Sequence, residues 1–493
     1  GIHYVGQMQE GSLVRFMMDQ LTEGQLQWAQ LPADYDAVVL GGSGAGRTVR
    51  IHSGEKEYFQ RLKEEFPGEG AAIDEFQRQI PGFCRGATSV QLLRLPLTHL
   101  LPLRPSIRTP SRPPVPHPKK IGIGPKTAIW HKSAKIRPKI HPPLPRFFPG
   151  VVPSKVSFAM HSLLVNHFLR GAWFPKGGSG EIAFHIIPVI RKAGGNVFGK
   201  APVQKILLDS QGKACGVSVK KGQDLVNIFA PIIISDAGIF NTYERLLPAE
   251  AQALPEIQSQ LRMVTHGEGG FTIFIGLNGS REELGLEPTN YFIYTDNDLD
   301  GITKGYLASS REEAAKNVPV LFVTCPSTKD PTWEMRHPGK STVAIVTFAK
   351  YEWFEEWKDK QATKRGDDYE DLKQTFVDTI MQSIFKIYPR IKDRIEYISS
   401  GSPLTNQHYI ASPKGEIYGI DHDITRLQAD VLTTLRAQTP VPNLYLTGQD
   451  LCVCGFVGAL QGAFFCASAI LKRNLYIDLL RLRKRTQTNN SKK

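Results

Sequence analysis

The fold is decided near the carboxyl end, by the stretch Val441-Pro-Asn-Leu-Tyr-Leu-Thr-Gly-Gln-Asp450 and the uncharged run LCVCGFVGALQGAFFCASAIL over residues 451–471. The pattern predicts a short apolar strand from Leu444 to Leu446, a turn at Gly448 and a helix beyond it. Three glycines occupy the first turns of that helix: Gly455, Gly458 and Gly462. Because glycine has no Cβ, a ligand or another backbone segment can approach these turns closely.

The start of this helix also has the electrostatic character of a cofactor site. A helix N-terminus presents unpaired N–H groups and about half a positive elementary charge. This charge suits a pyrophosphate or the electron-rich edge of a flavin, so we expect a flavin there. Two alternatives stay open: a buried core helix without a ligand, and a transmembrane span, since the run of 21 residues reaches the about 20 that a span needs.

Composition places the chain among large globular proteins with more than one domain. It has 493 residues, of which 41% are hydrophobic and 22% charged. The net charge of +13 is local, because residues 81–150 contain thirteen Lys or Arg and no Asp or Glu. The same range holds 15 of the 34 prolines, which disfavour helix and central strand. We expect this range to be extended or disordered, and we do not expect a nucleic-acid partner because it has no folded platform.

The cysteines and the first residues exclude other classes. Six cysteines include no C-x-x-C pair, so neither a disulfide-stapled small fold nor a metal site is expected. The chain begins at Gly1, and residues 1–6 resemble the middle of a fold. We therefore expect a fragment that has lost any N-terminal targeting signal.

A second glycine-rich stretch follows the apolar strand predicted from Asp34 to Leu40. Its position suggests a dinucleotide-binding loop, but the G-x-G-x-x-G pattern fails because Gly42 and Gly44 are followed at the required position by Arg47. Residues 48–52 have the pattern of a second strand. The stretch therefore predicts a β-hairpin with a glycine turn.

Residues 171–238 predict a helix followed by a β-meander. The helix spans Glu181 to Lys192, with its apolar residues on one stripe, and Gly194 ends it. Three strands are predicted after it: around Lys205 to Leu208, Gly216 to Lys220 and Ile228 to Ser235.

Residues 247–440 change to longer strands and helices, which we interpret as an inserted substrate domain. The pattern predicts apolar strands at Phe271 to Leu277, Val318 to Thr324 and Thr342 to Phe348, and an amphipathic helix at Asp367 to Tyr388. The other predicted segments are 1–80, a remnant of the cofactor domain with the start of a cap region; 81–150, atypical; 151–246, the helix and meander of the cofactor domain; 441–476, its last strand and helix; and 477–493, a basic tail.

Several separated motifs agree with one family. They are Gly171-Ala-Trp-Phe-Pro-Lys-Gly-Gly178, Ser235-Asp-Ala-Gly238, Gly415-Glu-Ile-Tyr-Gly419 and Asn443-Leu-Tyr-Leu-Thr-Gly448, in that order. Over residues 1–76 and 155–476 the chain resembles the phytoene-desaturase-type flavoproteins, and among them most closely the branch that saturates retinol.

The resemblance implies an α/β fold of the glutathione-reductase-like FAD-binding type, interrupted by an α+β substrate domain. The βαβ unit with the phosphate-binding loop would precede Gly1. The cofactor implied is FAD, with NAD or NADP as an alternative electron source. The implied cofactor-binding residues are Val203, Asp236, Ala237, Gly448, Asp450, Val457 and Gly458.

The implied activity is reduction of the 13,14 double bond of all-trans-retinol by hydride and proton transfer. The proton donor is open, and the candidates by position are His408, Tyr409, His3 and Tyr4. Two other functions stay open: a carotenoid or polyene desaturase or isomerase, and a non-catalytic fragment without a complete FAD site. The implied partners are a retinoid or other polyene lipid and, through the basic residues 480–485, the endoplasmic reticulum membrane as a peripheral surface.

Overall fold

The structure is a computed structural model that describes residues 2–41, 46–93 and 152–490. Its strands are β1 Val5–Gly6, β2 Trp28–Gln30, β3 Asp34–Leu40, β4 Arg47–His52, β5 Ala172–Pro175, β6 Val203–Leu208, β7 Ala214–Lys221, β8 Asp224–Phe229, β9 Ile233–Ser235, β10 Gly270–Asn278, β11 Asn290–Tyr294, β12 Val320–Thr324, β13 Lys340–Phe348, β14 Ile395–Gly401 and β15 Leu444–Leu446.

The α-helices lie between and after these strands. They are α1 Leu13–Leu21, α2 Glu55–Glu65, α3 Gly70–Leu93, α4 Phe158–Phe168, α5 Gly180–Lys192, α6 Ala249–Gln252, α7 Pro255–Arg262, α8 Arg281–Leu284, α9 Leu299–Ala308, α10 Arg311–Lys316, α11 Pro326–Lys329, α12 Trp333–Arg336, α13 Asp367–Ile387, α14 Pro403–Ile410, α15 Ala429–Thr434, α16 Gly455–Leu471 and α17 Leu475–Asn490. A π-helix spans Asn241–Leu246.

A seven-stranded sheet, here called the substrate sheet, combines five strands of residues 247–440 with β3 and β4 in the order β14-β10-β13-β12-β11-β3-β4. All neighbouring strands are antiparallel except β11 and β3, which are parallel. Alternate residues of β10 point into one core with α13, where the rings of Phe271 and Phe376 lie 5.0 Å apart. The strands and the long helix predicted for this region are confirmed.

The predicted hairpin is confirmed as well. β3 and β4 are antiparallel, with Val38 opposite Val49, and the turn residues 42–45 lie outside the described residues. The parallel pairing of β3 with β11 places this hairpin at the edge of the substrate sheet.

The meander region differs from its prediction at one point. β6, β7 and β8 form a three-stranded antiparallel sheet, but the predicted third strand from Ile228 to Ser235 is two strands, β8 and β9. Pro231 lies between them and has no N–H group to continue a ladder. β9 instead pairs in parallel with β15, so the chain leaves the meander and joins the last strand of the cofactor half.

A third layer, here called the small sheet, has the order β1-β5-β2. β5 is entirely buried and leads into the turn Lys176 to Ser179 and then α5. The cluster around the small sheet contains Val5 and Trp173, and Phe456, Val457 and Leu460 from the first turns of α16 pack against it. The small sheet therefore lies against the start of the predicted cofactor helix.

Two further predictions concern residues 81–150 and a membrane span near the carboxyl end. Helix α3 continues to Leu93, so it enters the range predicted to be disordered, and residues 94–150 lie outside the described residues. Within the described ranges no single helix is both long and apolar enough to span a bilayer. Helices α16 and α17 together meet that length and composition, but they are bent by 105°.

Candidate functional site

The parallel pair β9 and β15 positions the first site residues. Leu446 lies opposite Ser235, and the chains continue directly into Asp236 and Gly448 at the carboxyl ends of the two strands. In open α/β sheets, ligands bind outside the carboxyl ends of parallel strands. Gly448 has a φ of +91°, and a Cβ there would lie 2.0 Å from Oδ1 of Asp236, so the close approach requires glycine.

Asp450 joins three chain segments through its buried carboxylate. Its Oδ2 accepts a hydrogen bond from the N–H of Ile239 at 2.9 Å, and its Oδ1 accepts one from the N–H of Ile420 at 3.3 Å. The buried guanidinium of Arg426 donates to the carbonyl oxygen of Asp450 at 2.7 Å. Burial raises the pKa of Asp450, and the two N–H donors oppose this shift. Asp450 thus shapes the loop around the site.

Asp236 and Ala237 are exposed at the end of β9. The pKa of the Asp236 carboxyl is raised above its usual value. The larger cause is desolvation by neighbouring atoms, and the negative charge of Asp450 adds to the shift. The whole side chain is nevertheless exposed, so we take its surface to be accessible to a ligand. A carboxyl of this kind can accept hydrogen bonds from the hydroxyl groups of a bound cofactor.

The start of α16 lies close to the loop that precedes it. A Cβ on Gly458 would lie 1.6 Å from the carbonyl oxygen of Val453, and one on Gly462 would lie 2.0 Å from that of Gly448. The N-cap residue Cys454 makes no capping hydrogen bond through its side chain. The N–H of Gly455 donates instead to Oε1 of Gln449 at 3.1 Å, while a Cβ on Gly455 would meet no atom of another segment within 4 Å.

The meander and the C-terminal helix share one core. Ile206 and Ala214 of the meander pack in a cluster with Leu446 of β15 and Cys466 of α16. Val203 lies at the exposed beginning of β6, opposite Val219. The structure therefore brings the meander, β9, β15 and α16 together, as the motifs predict, with Val203 on the outer surface of that assembly.

The candidate proton donors lie in two places. His408 and Tyr409 are exposed at the end of α14, where Tyr409 is 71% exposed. His3 is close to the edge of Phe322, with ring centroids 5.0 Å apart, and burial lowers its pKa to about 3. Because His3 is neutral above that pH, it is not a general acid near neutrality. The hydroxyl of Tyr4 donates to Oδ2 of Asp36 at 3.0 Å.

The structure also shows a polar cluster that the sequence analysis missed. Lys329 is buried, and its Nζ donates to the carbonyl oxygen of His3 at 3.0 Å and to Oγ1 of Thr324 at 2.6 Å, as well as to Oδ1 of Asn290. Burial lowers the pKa of Lys329 to about 7. The available signal was a charged residue five positions after the end of the apolar strand β12. Among the described residues, no group of three or more His, Cys, Asp or Glu could hold a metal ion.

Comparison with known proteins identifies the relatives of the chain. No protein-family model matches it. It is 49% identical over 498 residues to a Danio rerio protein named all-trans-retinol 13,14-reductase, with 100% of this chain and 81% of that protein covered. The chain belongs to the all-trans-retinol 13,14-reductase family. The family also includes a Danio rerio protein named inactive all-trans-retinol 13,14-reductase, 34% identical over 494 residues, with 100% of this chain and 81% of that protein covered.

The solved structures show the fold of this family member. The chain matches a triple mutant of putrescine oxidase with a TM-score of 0.51 and 13% identity, over 97% of this chain and 87% of that one. Together with the sheet topology, this match confirms the predicted α/β FAD-binding fold with an inserted α+β domain.

The described residues fit the flavin end of FAD. Space lies beside Gly455, and Asp236 and Ala237 are exposed at the carboxyl end of β9. Val457 packs against the small-sheet cluster, whereas Gly458 lies against the carbonyl oxygen of Val453. The implied residues that would hold the cofactor are Val203, Asp236, Ala237, Gly448, Asp450, Val457 and Gly458.

Proposed function

We propose that this chain is an FAD-dependent oxidoreductase that reduces the 13,14 double bond of all-trans-retinol to all-trans-13,14-dihydroretinol. The observation that carries the proposal is the 49% identity to a protein of that name over the whole chain. The clustering of the motif residues around β9, β15 and α16 supports it, because it gathers the residues implied to bind the cofactor in one part of the fold.

FAD, when bound and reduced by an electron donor, would supply the hydride for this reaction. The chain supplies position and surroundings. The N-terminus of α16, where Gln449 accepts from the N–H of Gly455, would direct partial positive charge toward the cofactor, and Asp236 would accept hydrogen bonds at the end of β9. Trp173 and Val457, packed together at the small sheet, limit the access of water to that side of the site.

The substrate sheet offers an apolar surface for a polyene. Phe274 of β10 and Tyr397 of β14 are exposed. Gly276, two residues from Phe274 on the same face, pairs with Tyr397 and adds no side chain there. An exposed apolar patch of this kind is typical of a surface that binds an apolar ligand. It supports a retinoid or another polyene lipid as the substrate.

A membrane surface is the proposed source of this lipid. Helix α17 exposes Leu480 and Leu482 beside Arg481 and Lys484. Cationic residues near an anionic leaflet contribute about 1 kcal/mol each. We place the chain peripherally at the endoplasmic reticulum membrane, and we propose NAD or NADP as an electron source.

The test is product analysis with the purified chain. The protein is supplied with FAD, reduced with dithionite without oxygen, and incubated with all-trans-retinol. A product heavier by two hydrogens supports reduction. In a parallel reaction with oxidised FAD, loss of two hydrogens would instead identify a desaturase, and an isomer of unchanged mass in either reaction an isomerase. Unchanged retinol together with no flavin bands in the visible spectrum would favour a non-catalytic chain.

A further inference from the structure

Two consecutive residues at the end of α11 are charged and buried. Lys329 is 3% exposed and Asp330 is 5% exposed. Burying a charge is unfavourable unless it is paired and hydrogen-bonded, and two apolar residues would avoid that cost. Each of the two side chains instead forms hydrogen bonds that connect the inserted domain to the small sheet or to a segment next to it.

Lys329 joins the substrate sheet to the segment that leads into β1. Its Nζ donates to Oγ1 of Thr324 on β12 at 2.6 Å and to Oδ1 of Asn290 on β11. The same Nζ donates to the carbonyl oxygen of His3 at 3.0 Å. One amino group therefore holds two strands of the substrate sheet and the entry to the small sheet.

A second set of hydrogen bonds extends this connection to β3. Nδ2 of Asn290 donates to Oδ1 of Asp36 at 2.8 Å, and the hydroxyl of Tyr4 donates to Oδ2 of the same carboxylate at 3.0 Å. Tyr4 directly precedes β1. The connection thus includes side chains from three strands of the substrate sheet.

Asp330 holds the other end of the small sheet. Its Oδ1 accepts from the N–H of Gly177 at 3.1 Å, in the turn that follows β5, and from the N–H of Thr332 at 3.0 Å. Its Oδ2 pairs with the guanidinium of Arg336, which also donates to the carbonyl oxygen of Gly177 at 3.4 Å. Burial raises the pKa of Asp330, but these hydrogen bonds outweigh it and hold the pKa below its usual value. The carboxylate is therefore charged at neutral pH.

Lys329 contacts the same face of the substrate sheet that carries the exposed Phe274. Phe274 lies opposite Ala344, and Ala344 lies opposite Thr324, the hydroxyl that Lys329 contacts. Directly paired residues point to the same side of a sheet. The proposed polyene surface and the connection to the small sheet are therefore on one side.

We propose that Lys329 and Asp330 are positioning residues that fix the Phe274 face of the substrate sheet relative to the first turn of α16. The small sheet is the intermediate layer, since Trp173 of β5 packs in a cluster with Val457 of α16. The inference rests on the proposed function, because the two surfaces so aligned would hold the polyene and the flavin. Misplacement of reacting groups by about 1 Å can lower a rate roughly 100-fold.

The experiment compares Lys329→Met and Asp330→Asn with Lys340→Met in the whole chain. Lys340 forms an ion pair with Glu396 at 2.6 Å on the surface of the same domain, so its loss is a matched control. We expect kcat for retinol to fall at least tenfold in the first two variants, with KM changed less than about threefold. We expect no change in the control.

Amide hydrogen exchange at Gly177 provides a second measurement that needs no turnover. We expect exchange at least tenfold faster in Asp330→Asn, which is close to isosteric and keeps one acceptor, than in the control. Equal exchange rates would overturn the proposal, as would a fall in activity that merely follows the fraction of unfolded protein. If the unmodified chain does not turn over retinol, the proposed function fails, and the exchange result alone decides the positioning role.

Discussion

The substrate sheet and the β9–β15 pair differ in how completely their apolar side chains are covered. In the substrate sheet, Phe271 and Ile273 are 0% exposed beneath α13. In the β9–β15 pair, Ile234 is 53% exposed. Parallel strands are usually covered on both faces. The comparison teaches that the chain packs the α13 face of its substrate sheet with its own residues, whereas the β9–β15 pair, like the Phe274 face of that sheet, has apolar surface available to bind something else.

The largest expected effect tests the packed side of this comparison. Phe376→Ala removes a fully buried ring of α13, and we expect it to lower the free energy of unfolding by about 3–5 kcal/mol. Phe184→Ala, at a side chain of α5 that is 65% exposed, is the control and should change it by about 0.5 kcal/mol or less. Urea unfolding followed by circular dichroism measures both. Equal losses would show that the two regions do not differ in packing.

The next prediction tests the cofactor half. Gly448→Ala places a Cβ 2.0 Å from Asp236 in a backbone conformation with a φ of +91°, so we expect at least a tenfold weaker Kd for FAD. The control is Gly285→Ala, where φ is +68° but the nearest atom is 3.9 Å away. That variant has backbone strain without the steric clash, so its Kd should be unchanged. Flavin fluorescence quenching measures the binding, and loss of binding in both variants would contradict the local explanation.

A third prediction concerns pH and the buried amino group of Lys329, which joins the substrate sheet to the segment that leads into the small sheet. The pKa of Lys329 is lowered to about 7 in the folded chain from an ordinary value of 10.5. Between these values the unfolded chain binds more protons than the folded chain, so stability rises with pH. We expect the free energy of unfolding to gain about 2 kcal/mol from pH 7 to pH 9 relative to Lys329→Met. Urea titrations at both pH values measure the difference, and parallel curves would be inconsistent with the lowered pKa.

The smallest expected effect concerns Tyr409. Its ring is largely exposed at the end of α14, where bulk water reaches the hydroxyl. We expect Tyr409→Phe to keep retinol turnover within about twofold, since an exposed hydroxyl is readily replaced by water as a proton source. Steady-state rates measured beside His408→Gln check this, and a loss above tenfold in Tyr409→Phe alone would assign it the acid role.

Much of the fold follows from local pattern. The alternation in β10 and the stripe of α13 have the periods of strand and helix, so their positions could be predicted. The break at Pro231 was missed because the apolar residues run on past it, and apolar content does not show where a ladder ends. Lys329 was missed for a different reason. Its three acceptors belong to residues 3, 290 and 324, and only tertiary structure brings them together.

The candidate site was predicted less completely than the fold. Glycine spacing predicted the close approach at Gly458, since no other residue fits against Val453. The role of Asp450 was not predictable in the same way. Its partners Ile239 and Ile420 contribute only backbone N–H groups, and these have no signature in the sequence.

The carboxylate of Asp450 also has a consequence for the order of assembly. Its bond to Ile239 joins residues 211 positions apart, and the loop it closes contains five of the seven strands of the substrate sheet. The entropy lost in closing a loop grows with its length, and contacts distant in sequence form slowly. The inserted domain should therefore fold before these hydrogen bonds of Asp450 form. Retention of the cofactor would then show that the contact between Asp450 and Ile239, the last long-range step of folding, has formed.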